Sequence, residues 1–217
     1  MSQSDFSRSS ESEQTVAPPA ERGLGIWPWI VLLVAVVLVA VYLMAPPAGR
    51  QDAGDKHPAV GTHIEELSLE PLTGGGEPVT TSSLDGKVTL INFWGPWCPP
   101  CRMEFPHIVE IEQHFRGEPR FQLLSVSCSG HSGSEEEMGP MTAEFLAEQK
   151  AEFPTYRDPY QRLGMHLDEI AKLNGFVFPT SVVVGPDRTI RGLWPGYSPG
   201  DERDIYRVIE TTLRAAK

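Results

Sequence analysis

The chain has 217 residues, of which 29 are acidic and 18 basic, so its formal net charge is -11 and its isoelectric point is about 5.0. This excess of acid argues against a nucleic-acid-binding protein, because no basic surface offsets the charge of the phosphates. The three cysteines are too few for a disulfide scaffold, and two of them, Cys98 and Cys101, form one close pair. The cysteines therefore indicate chemistry rather than cross-linking of the fold.

The first 59 residues divide into a polar tail, an apolar segment and a linker. The tail, residues 1–25, is rich in serine and has one aromatic residue, so it cannot bury a core of its own. Residues 26–44 carry no charge, and as a helix they would extend roughly 28 Å, close to the thickness of the hydrocarbon layer of a membrane. We interpret them as an uncleaved transmembrane anchor in the lipid bilayer, because the segment is longer than the apolar part of a signal peptide. Residues 45–59, rich in proline and glycine, are predicted to be a linker that tethers the domain.

The remaining residues, 60–217, are enough for one domain with a single core. The predicted elements are a hairpin of residues 64–72 and 78–84, a strand 88–93, a helix 98–115, a strand 121–126, a polar insertion 127–140, a helix 141–150, a strand 153–157, a helix 160–173, a hairpin of residues 181–184 and 189–194, and a helix 201–216. The order strand, helix, strand implies a right-handed crossover and a parallel pair. The sequence therefore predicts an α/β fold with a mixed sheet and helices on both faces. Three consecutive glutamates in the insertion, Glu135–Glu137, are interpreted as a solvated loop.

The cysteine pair lies between a predicted strand and a predicted helix. The positive end of the helix dipole favours a thiolate at Cys98, which is therefore the expected nucleophile. With two residues between the cysteines, Cys101 can attack the sulfur of Cys98 in a mixed disulfide. A second interpretation is a non-enzymatic zinc or copper carrier, because Cys128 and His131 could add two ligands to the first pair.

The segment Asn92–Pro106 closely resembles the active-site segment of the TlpA/ResA-like family of membrane-anchored thiol-disulfide oxidoreductases. Further matches are Leu84–Val88, Phe153–Asp158 and Phe178–Thr180, so the resemblance covers nearly all of residues 60–217. It implies a thioredoxin fold, here with an N-terminal β-hairpin extension, and thiol-disulfide exchange at the cysteine pair.

The same resemblance implies roles for the residues around the second motif. Pro179 matches the cis-proline that stands beside the dithiol in this family, although it could also be an ordinary turn proline. A cis bond there would leave the main chain of Phe178 free to pair with an extended substrate. Trp97 and Thr180 are expected to contact substrate beside it.

Glu104 follows Cys101 by three residues and so lies on the same face of the predicted helix. The resemblance implies an active-site acid, and a half-buried carboxylate there could accept the proton of Cys101. The alternative is a surface glutamate. For Cys128, at the end of the second core strand, a regulatory thiol and an inert buried side chain both stay open, with the inert one favoured.

The resemblance also implies a location and partners. Members of the family are typically anchored in the cell membrane by a single span and face the extracytoplasmic space, where they reduce disulfides, often in cytochrome c maturation. The tail would then be cytoplasmic and the domain periplasmic. The implied partners are protein disulfides, such as those of apocytochrome c, and a membrane thiol-electron donor. No bound cofactor is expected.

Overall fold

A computed structural model describes residues 26–44, 53–129, 135–173 and 175–216. The chain divides into two compact units, Met1–Pro46 and Pro47–Lys217. In the first unit, helix α1 (Trp27–Met44) covers nearly all of the predicted apolar segment, and its side chains are exposed wherever they are described. In the part of the chain that the structure describes, none of the helices has the length and apolar character needed to cross a membrane. The predicted polar tail lies outside the described residues.

The second unit contains the predicted α/β domain. Its strands and helices are β1 (Ser68–Thr73), β2 (Val79–Thr80), β3 (Val88–Trp94), α2 (Pro99–Phe115), β4 (Phe121–Ser127), α3 (Glu135–Gln149), β5 (Thr155–Arg157), α4 (Arg162–Ala171), β6 (Thr180–Val184), β7 (Ile190–Pro195) and α5 (Asp201–Ala215). Two short 3-10 turns, Thr81–Leu84 and Pro159–Gln161, precede β3 and α4. Each predicted element is present, although several begin or end elsewhere than predicted.

The seven strands form one mixed sheet in the order β2-β1-β5-β4-β3-β6-β7. Strand β3 pairs in parallel with β4 and antiparallel with β6, so the predicted parallel pair is confirmed. Every residue of β3 is buried, as expected for a central strand whose two faces are both covered. The carboxyl end of β3 continues into α2, which brings the cysteine pair to this edge of the sheet.

Helices cover both faces of the sheet, as predicted. On one face α2 and α5 pack against Leu90 of β3 and Val183 of β6. On the other face α4 packs against Ile91 of β3 and Val182 of β6. Neighbouring residues of a strand point to opposite faces, so a run of apolar residues in β3 and β6 serves both cores.

Helix α3 begins at Glu135, six residues before the predicted start, so the prediction of a solvated loop at Glu135–Glu137 is wrong. Pro140, the last residue of the predicted insertion, lies inside the helix. Two features favour the longer helix: glutamates in the first turn interact well with the helix dipole, and Met138 is buried. The rest of the predicted insertion is described only as far as residue 129.

The hairpin strands are shorter than predicted. Strand β1 begins at Ser68 rather than at Ile64, and β2 is only two residues long before the chain turns. The Ile64 side chain is fully buried, and its N–H donates to the carbonyl of Arg188 at 3.0 Å. This stretch therefore packs beside the turn between β6 and β7 instead of extending β1.

Helix α4 begins two residues later than predicted. Tyr160 and Gln161 have φ values of 61° and 54°, in the left-handed region that L-residues seldom adopt, so the α-helix cannot include them. Asp158 instead caps the helix, because its carboxylate accepts hydrogen bonds from the N–H groups of Leu163 and Gly164. Such local backbone geometry cannot be read from apolar periodicity.

The described part of the predicted linker, residues 53–59, is packed against the domain. Gly54 exchanges two main-chain hydrogen bonds with Leu193 of β7, of 2.7 and 3.1 Å, and Ala59 is fully buried in the core. Gly54 has φ of 69°, and a Cβ atom there would collide with the carboxylate of Asp204, so only glycine fits this contact. The packed domain thus begins before residue 60. Residues 45–52 lie outside the description.

Candidate active site

The two cysteines lie where β3 passes into α2. Cys98 is the N-cap residue of α2 and Cys101 stands in its first turn, joined to Cys98 by a disulfide bond. The N–H of Cys101 donates to the sulfur of Cys98 at 3.3 Å. Pro99 and Pro100 fill the first two helical positions and have no N–H, so Cys101 supplies the first free amide of the helix. The sulfur of Cys98 therefore sits at the positive end of the α2 dipole, as predicted.

Trp97 is held in place by contacts from two other parts of the chain. Its indole N–H donates to the carbonyl of Cys128 at 2.9 Å, and its ring meets the ring of Phe178 edge to face at 5.5 Å. A Cβ atom on Gly95 would collide with the indole nitrogen, so this position of Trp97 needs a glycine two residues earlier. Although it is fixed on one side, Trp97 is 41% exposed. It therefore presents a rigid aromatic surface next to Cys98.

The Phe178–Pro179 peptide bond is cis, as the resemblance predicts. The carbonyl of Pro179 accepts a hydrogen bond from Gly196, and the hydroxyl of Thr180 donates to the carbonyl of Val177, both at 2.7 Å. Among the described residues, the main chain of Phe178 has no hydrogen-bond partner. The Pro179 carbonyl and the Thr180 hydroxyl are thus hydrogen-bonded within the domain, whereas the main chain of Phe178 is available to bond with another chain.

The cis-proline loop and the dithiol pack into one cluster. Cys98 and Cys101 are buried with Trp94 and Phe105, and the partly buried ring of Phe178 packs against this group. The structure therefore brings together the predicted residues of both motifs, although they are some eighty positions apart in the sequence.

Glu104 is only 3% exposed, more deeply buried than the half-buried carboxylate that we expected. The amide nitrogen of Asn92 donates to Oε2 at 2.8 Å, and the hydroxyl of Ser181 donates to Oε1 at 3.0 Å. Burial raises the pKa of Glu104 from 4.5 to about 7, while the two hydrogen bonds act to lower it. Near neutral pH the carboxyl group is present in both charge states, which is what a proton acceptor and donor requires.

Titratable groups on α2, on α5 and in the loop before α5 interact electrostatically with Glu104. Asp201 raises the pKa of Glu104 and His107 lowers it. The ring of His107 stacks on Tyr197 at 6.3 Å, and its Nδ1 lies 3.3 Å from a carboxylate oxygen of Glu110. The pKa of Tyr197 is itself raised, first by burial and then by neighbouring carboxylates that include Glu104. His107 thus interacts electrostatically with the predicted acid.

Cys128 has the surroundings of an inert thiol. The pKa of its thiol rises from 9.0 to about 12, first because of burial and then because of the charge of Asp158. Its sulfur lies 3.8 Å from the carbonyl of Val126, an acceptor that favours the neutral thiol, while a hydrogen bond with the backbone of Trp94 lowers the pKa in part. Within the residues described, no cluster of three or more histidine, cysteine or acidic side chains could hold a metal ion. His131, the fourth ligand in the metal-carrier hypothesis, lies outside those residues.

Sequence reasoning missed three residues that shape the site: Asn92, Ser181 and Gly95. Asn92 could have been found, because it is a carboxamide in the middle of the otherwise apolar strand β3. Ser181 could not, since its contact with Asn92 joins residues 89 positions apart. Gly95 becomes significant only when the position of the Trp97 indole is known.

Arg102 ties the dithiol helix to α3. Its guanidinium lies over the ring of Phe145 at 4.7 Å, pairs with Glu148 at 3.0 Å, and reaches the carbonyl of Pro96 at 3.4 Å. Helix α3 therefore also supports the turn that leads into Cys98.

The chain matches one family and many thioredoxin-like proteins. The AhpC/TSA family matches residues 60–193. The chain is 45% identical over 54 residues to the thiol:disulfide interchange protein HelX of Rhodobacter capsulatus, a stretch that covers 24% of this chain and only 30% of HelX. It is 24% identical over 175 residues to the thiol-disulfide oxidoreductase ResA of Oceanobacillus iheyensis, covering 80% of this chain and 83% of ResA.

A solved structure confirms the fold. A thioredoxin-family thiol:disulfide interchange protein from Chlorobium tepidum superimposes with a TM-score of 0.55 at 23% identity, over 70% of this chain and 97% of the other. The mixed sheet with helices on both faces is therefore a thioredoxin fold, as the sequence predicts.

Proposed function

The chain belongs to the AhpC/TSA family, and on that premise we propose that it is a thiol-disulfide oxidoreductase that reduces protein disulfides at Cys98 and Cys101. The observation that carries the proposal is the position of the pair: Cys98 caps α2, bonded to Cys101, beside the loop of Phe178 and Pro179. Likeness to proteins named as thiol-disulfide oxidoreductases supports it.

The reaction is a pair of exchanges. The thiolate of Cys98 attacks one sulfur of a substrate disulfide, so a mixed disulfide forms and the other substrate sulfur leaves as a thiolate. Cys101, once deprotonated, attacks the sulfur of Cys98 and releases the second substrate thiolate. Two electrons pass from the dithiol to the substrate, and the disulfide seen in the structure is the product.

Glu104 serves the second exchange. Cys101 is almost fully buried, and its thiol must lose a proton before it can attack. Glu104 stands one helical turn away. With a pKa of about 7, its carboxylate can accept that proton near neutral pH and release it again afterwards. The dipole of α2 favours the thiolate of Cys98 directly, so the two cysteines are activated by different means.

The substrate chain binds across the edge formed by Trp97 and the loop at Phe178. The main chain of Phe178 offers hydrogen-bonding groups to an extended peptide, while the exposed ring of Trp97 supplies apolar contact. Thr180 bonds to Val177 and so keeps the loop in shape.

The apolar segment at residues 26–44 is a membrane anchor in this proposal, with the tail cytoplasmic and the domain in the periplasm. Its support is the uncharged sequence and the resemblance to the anchored TlpA/ResA-like family. By the same resemblance, the electron donor is a membrane thiol protein and the substrates include disulfides of apocytochrome c.

Electron counting tests the central claim. The full chain is reduced, freed of reductant and mixed with a disulfide-bonded peptide without oxygen. We expect one peptide disulfide to be reduced per chain, with a new Cys98–Cys101 disulfide found by mass spectrometry. Cys98→Ser should reduce none. A wild-type chain that leaves the peptide oxidised would exclude the activity, and equilibration with glutathione would show its direction.

The anchor has its own test. We expect the full chain to stay in alkali-washed membranes and its domain to be cut by protease added to the periplasmic side. Removal of residues 26–44 should release the chain from the membrane. Protection of the domain from protease would reverse the proposed orientation.

A further inference from the structure

Asn92, Ser181 and Glu104 form a closed triangle of buried polar groups under the dithiol. The first two are fully buried, and Asn92 and Ser181 are direct partners across the ladder of β3 and β6. The amide nitrogen of Asn92 also donates to the hydroxyl oxygen of Ser181 at 2.9 Å. That hydroxyl in turn donates to Glu104, so each member contacts the other two.

The orientation of the Asn92 amide shows that this side chain acts as a hydrogen-bond donor to both of its partners. Both N–H bonds of its amide are used, one on Glu104 and one on Ser181, while its Oδ1 is buried without a partner among the described residues. A half-turn of the amide would point Oδ1 at the carboxylate and repel it. The side chain thus leaves its own oxygen unsatisfied, an uncommon cost for a buried group, and donates twice.

We infer that Asn92 and Ser181 are the positioning residues of Glu104: their hydrogen bonds fix the carboxyl group below the dithiol and stabilise its ionised form. The inference rests on the proposed function, because Glu104 matters only if it serves the exchange. It adds two uncharged residues from two strands that set how strong a base Glu104 is. Neither touches the reacting sulfur atoms in any contact that the structure shows.

The charges that face Glu104 are few in the described structure. On α2 this is His107, on α5 it is Asp201, and the loop between β7 and α5 contributes Tyr197. The strands contribute only the two uncharged donors. Because Asp201 and His107 act on the pKa of Glu104 in opposite directions, the two donated hydrogen bonds are the main influence that opposes burial.

The test follows the ionisation of Glu104 directly, apart from any turnover. Infrared difference spectra of the oxidised full chain are recorded as a function of pH, and the carboxyl band is assigned by its loss in Glu104→Gln. Asn92→Leu and Ser181→Ala each remove a donor from the anion, so the midpoint should rise by about one to two pH units. Reduction of a model disulfide should slow about tenfold at pH 7 and recover at higher pH.

A matched control comes from the neighbouring strand. Ser127 is also a buried serine, but it bonds to the hydroxyl of Thr142 at 2.7 Å instead of to Glu104. Ser127→Ala should leave the midpoint and the pH profile unchanged.

The outcomes separate the two claims. A midpoint that stays in place in both Asn92→Leu and Ser181→Ala, or falls, overturns the inference. If only Asn92→Leu fails to fold, Ser181→Ala decides alone. A midpoint that moves while Glu104→Gln reduces disulfides at the normal rate would keep the positioning role and remove the base role from the proposed function.

Discussion

Glu104 and Cys128 are two buried titratable groups with different surroundings. Glu104 receives two donated hydrogen bonds and its pKa reaches about 7, whereas at Cys128 the charge of Asp158 adds to the effect of burial and the pKa of the thiol reaches about 12. In both, burial is the largest cause of the rise. At Glu104 the two donated hydrogen bonds oppose burial, whereas at Cys128 the charge of Asp158 reinforces it and the hydrogen bond with the backbone of Trp94 opposes it only in part. Of these two groups, Glu104 is the one that can change its charge near neutral pH.

The first prediction, which has the largest expected effect, compares loss of the Cys98 thiol with loss of the Cys128 thiol. Cys98→Ser should abolish disulfide reduction, because it removes the N-cap thiol whose ionised form the dipole of α2 favours. Cys128→Ser should retain turnover within about twofold, because at pH 7 a thiol with pKa of about 12 is almost wholly protonated. The assay is reduction of a model peptide by the pre-reduced chain. Loss of turnover in Cys128→Ser, with the fold intact, would make this thiol a participant and break the contrast.

The next effect concerns Glu104 as a proton acceptor. Glu104→Gln keeps the size of the side chain but removes the base, so reduction above pH 7 should slow by about 10²-fold. Below pH 6 the difference should narrow, because the wild-type carboxyl group is then largely protonated. Stopped-flow rates between pH 5 and 9 give the comparison. Parallel pH profiles for the two chains would show that Glu104 takes no part in proton transfer.

The sequence predicts most of the fold because the signals are local. The apolar run of β3 and the capping position of Cys98 can be read within a dozen residues, and the second motif at Phe178–Thr180 is equally compact. The failures arise where distant parts of the chain decide. Glu135–Glu137 joins a helix because Met138 finds a buried site, and residues 53–59 are ordered by pairing of Gly54 with Leu193.

The site is predicted only as far as its chemistry-bearing residues. The spacing of the two cysteines singles them out, whereas Glu104 and Pro179 are predicted from the resemblance to the TlpA/ResA-like family. Ser181 is a common residue whose role comes from a ladder partner 89 positions away, so no local pattern identifies it. The depth at which Glu104 is buried depends on three separate elements, β3, β6 and α5, and follows only from their packing.

The third prediction concerns the cost of the buried carboxyl group. The folded domain holds the proton of Glu104 up to about pH 7, but the unfolded chain releases it near 4.5, so the folded state binds more protons between these values. Its contribution to stability is therefore complete below pH 4.5 and is lost as the pH rises through 7, by about 3 kcal/mol in all.

Urea unfolding of residues 47–217 in the oxidised state measures the contribution of Glu104 to stability. The quantity compared at each pH is the free energy of unfolding of the wild type minus that of Glu104→Gln. The other titrating groups cancel in that difference. We expect the variant to gain stability relative to wild type as the pH rises from 4.5 to 7. A difference that does not vary with pH would mean that Glu104 ionises at its ordinary pKa and that burial does not raise it.

The smallest effect concerns the Trp97 indole, which donates a hydrogen bond to the carbonyl of Cys128. Gly95→Ala places a Cβ atom against the indole nitrogen, so the ring must swing away and lose both this hydrogen bond and its contact with Phe178. One lost hydrogen bond of about 1 kcal/mol corresponds to roughly fivefold weaker capture of a substrate protein as a mixed disulfide in a Cys101→Ala background. Alkylation of Cys98 by iodoacetamide should change less than twofold, because that reagent needs no docking surface.

Gly117→Ala, whose new Cβ meets open space, is the matched control. If capture and alkylation fall together, Trp97 acts on the reactivity of the dithiol rather than on binding of the substrate. Cys128 would then affect that reactivity through the carbonyl that holds Trp97.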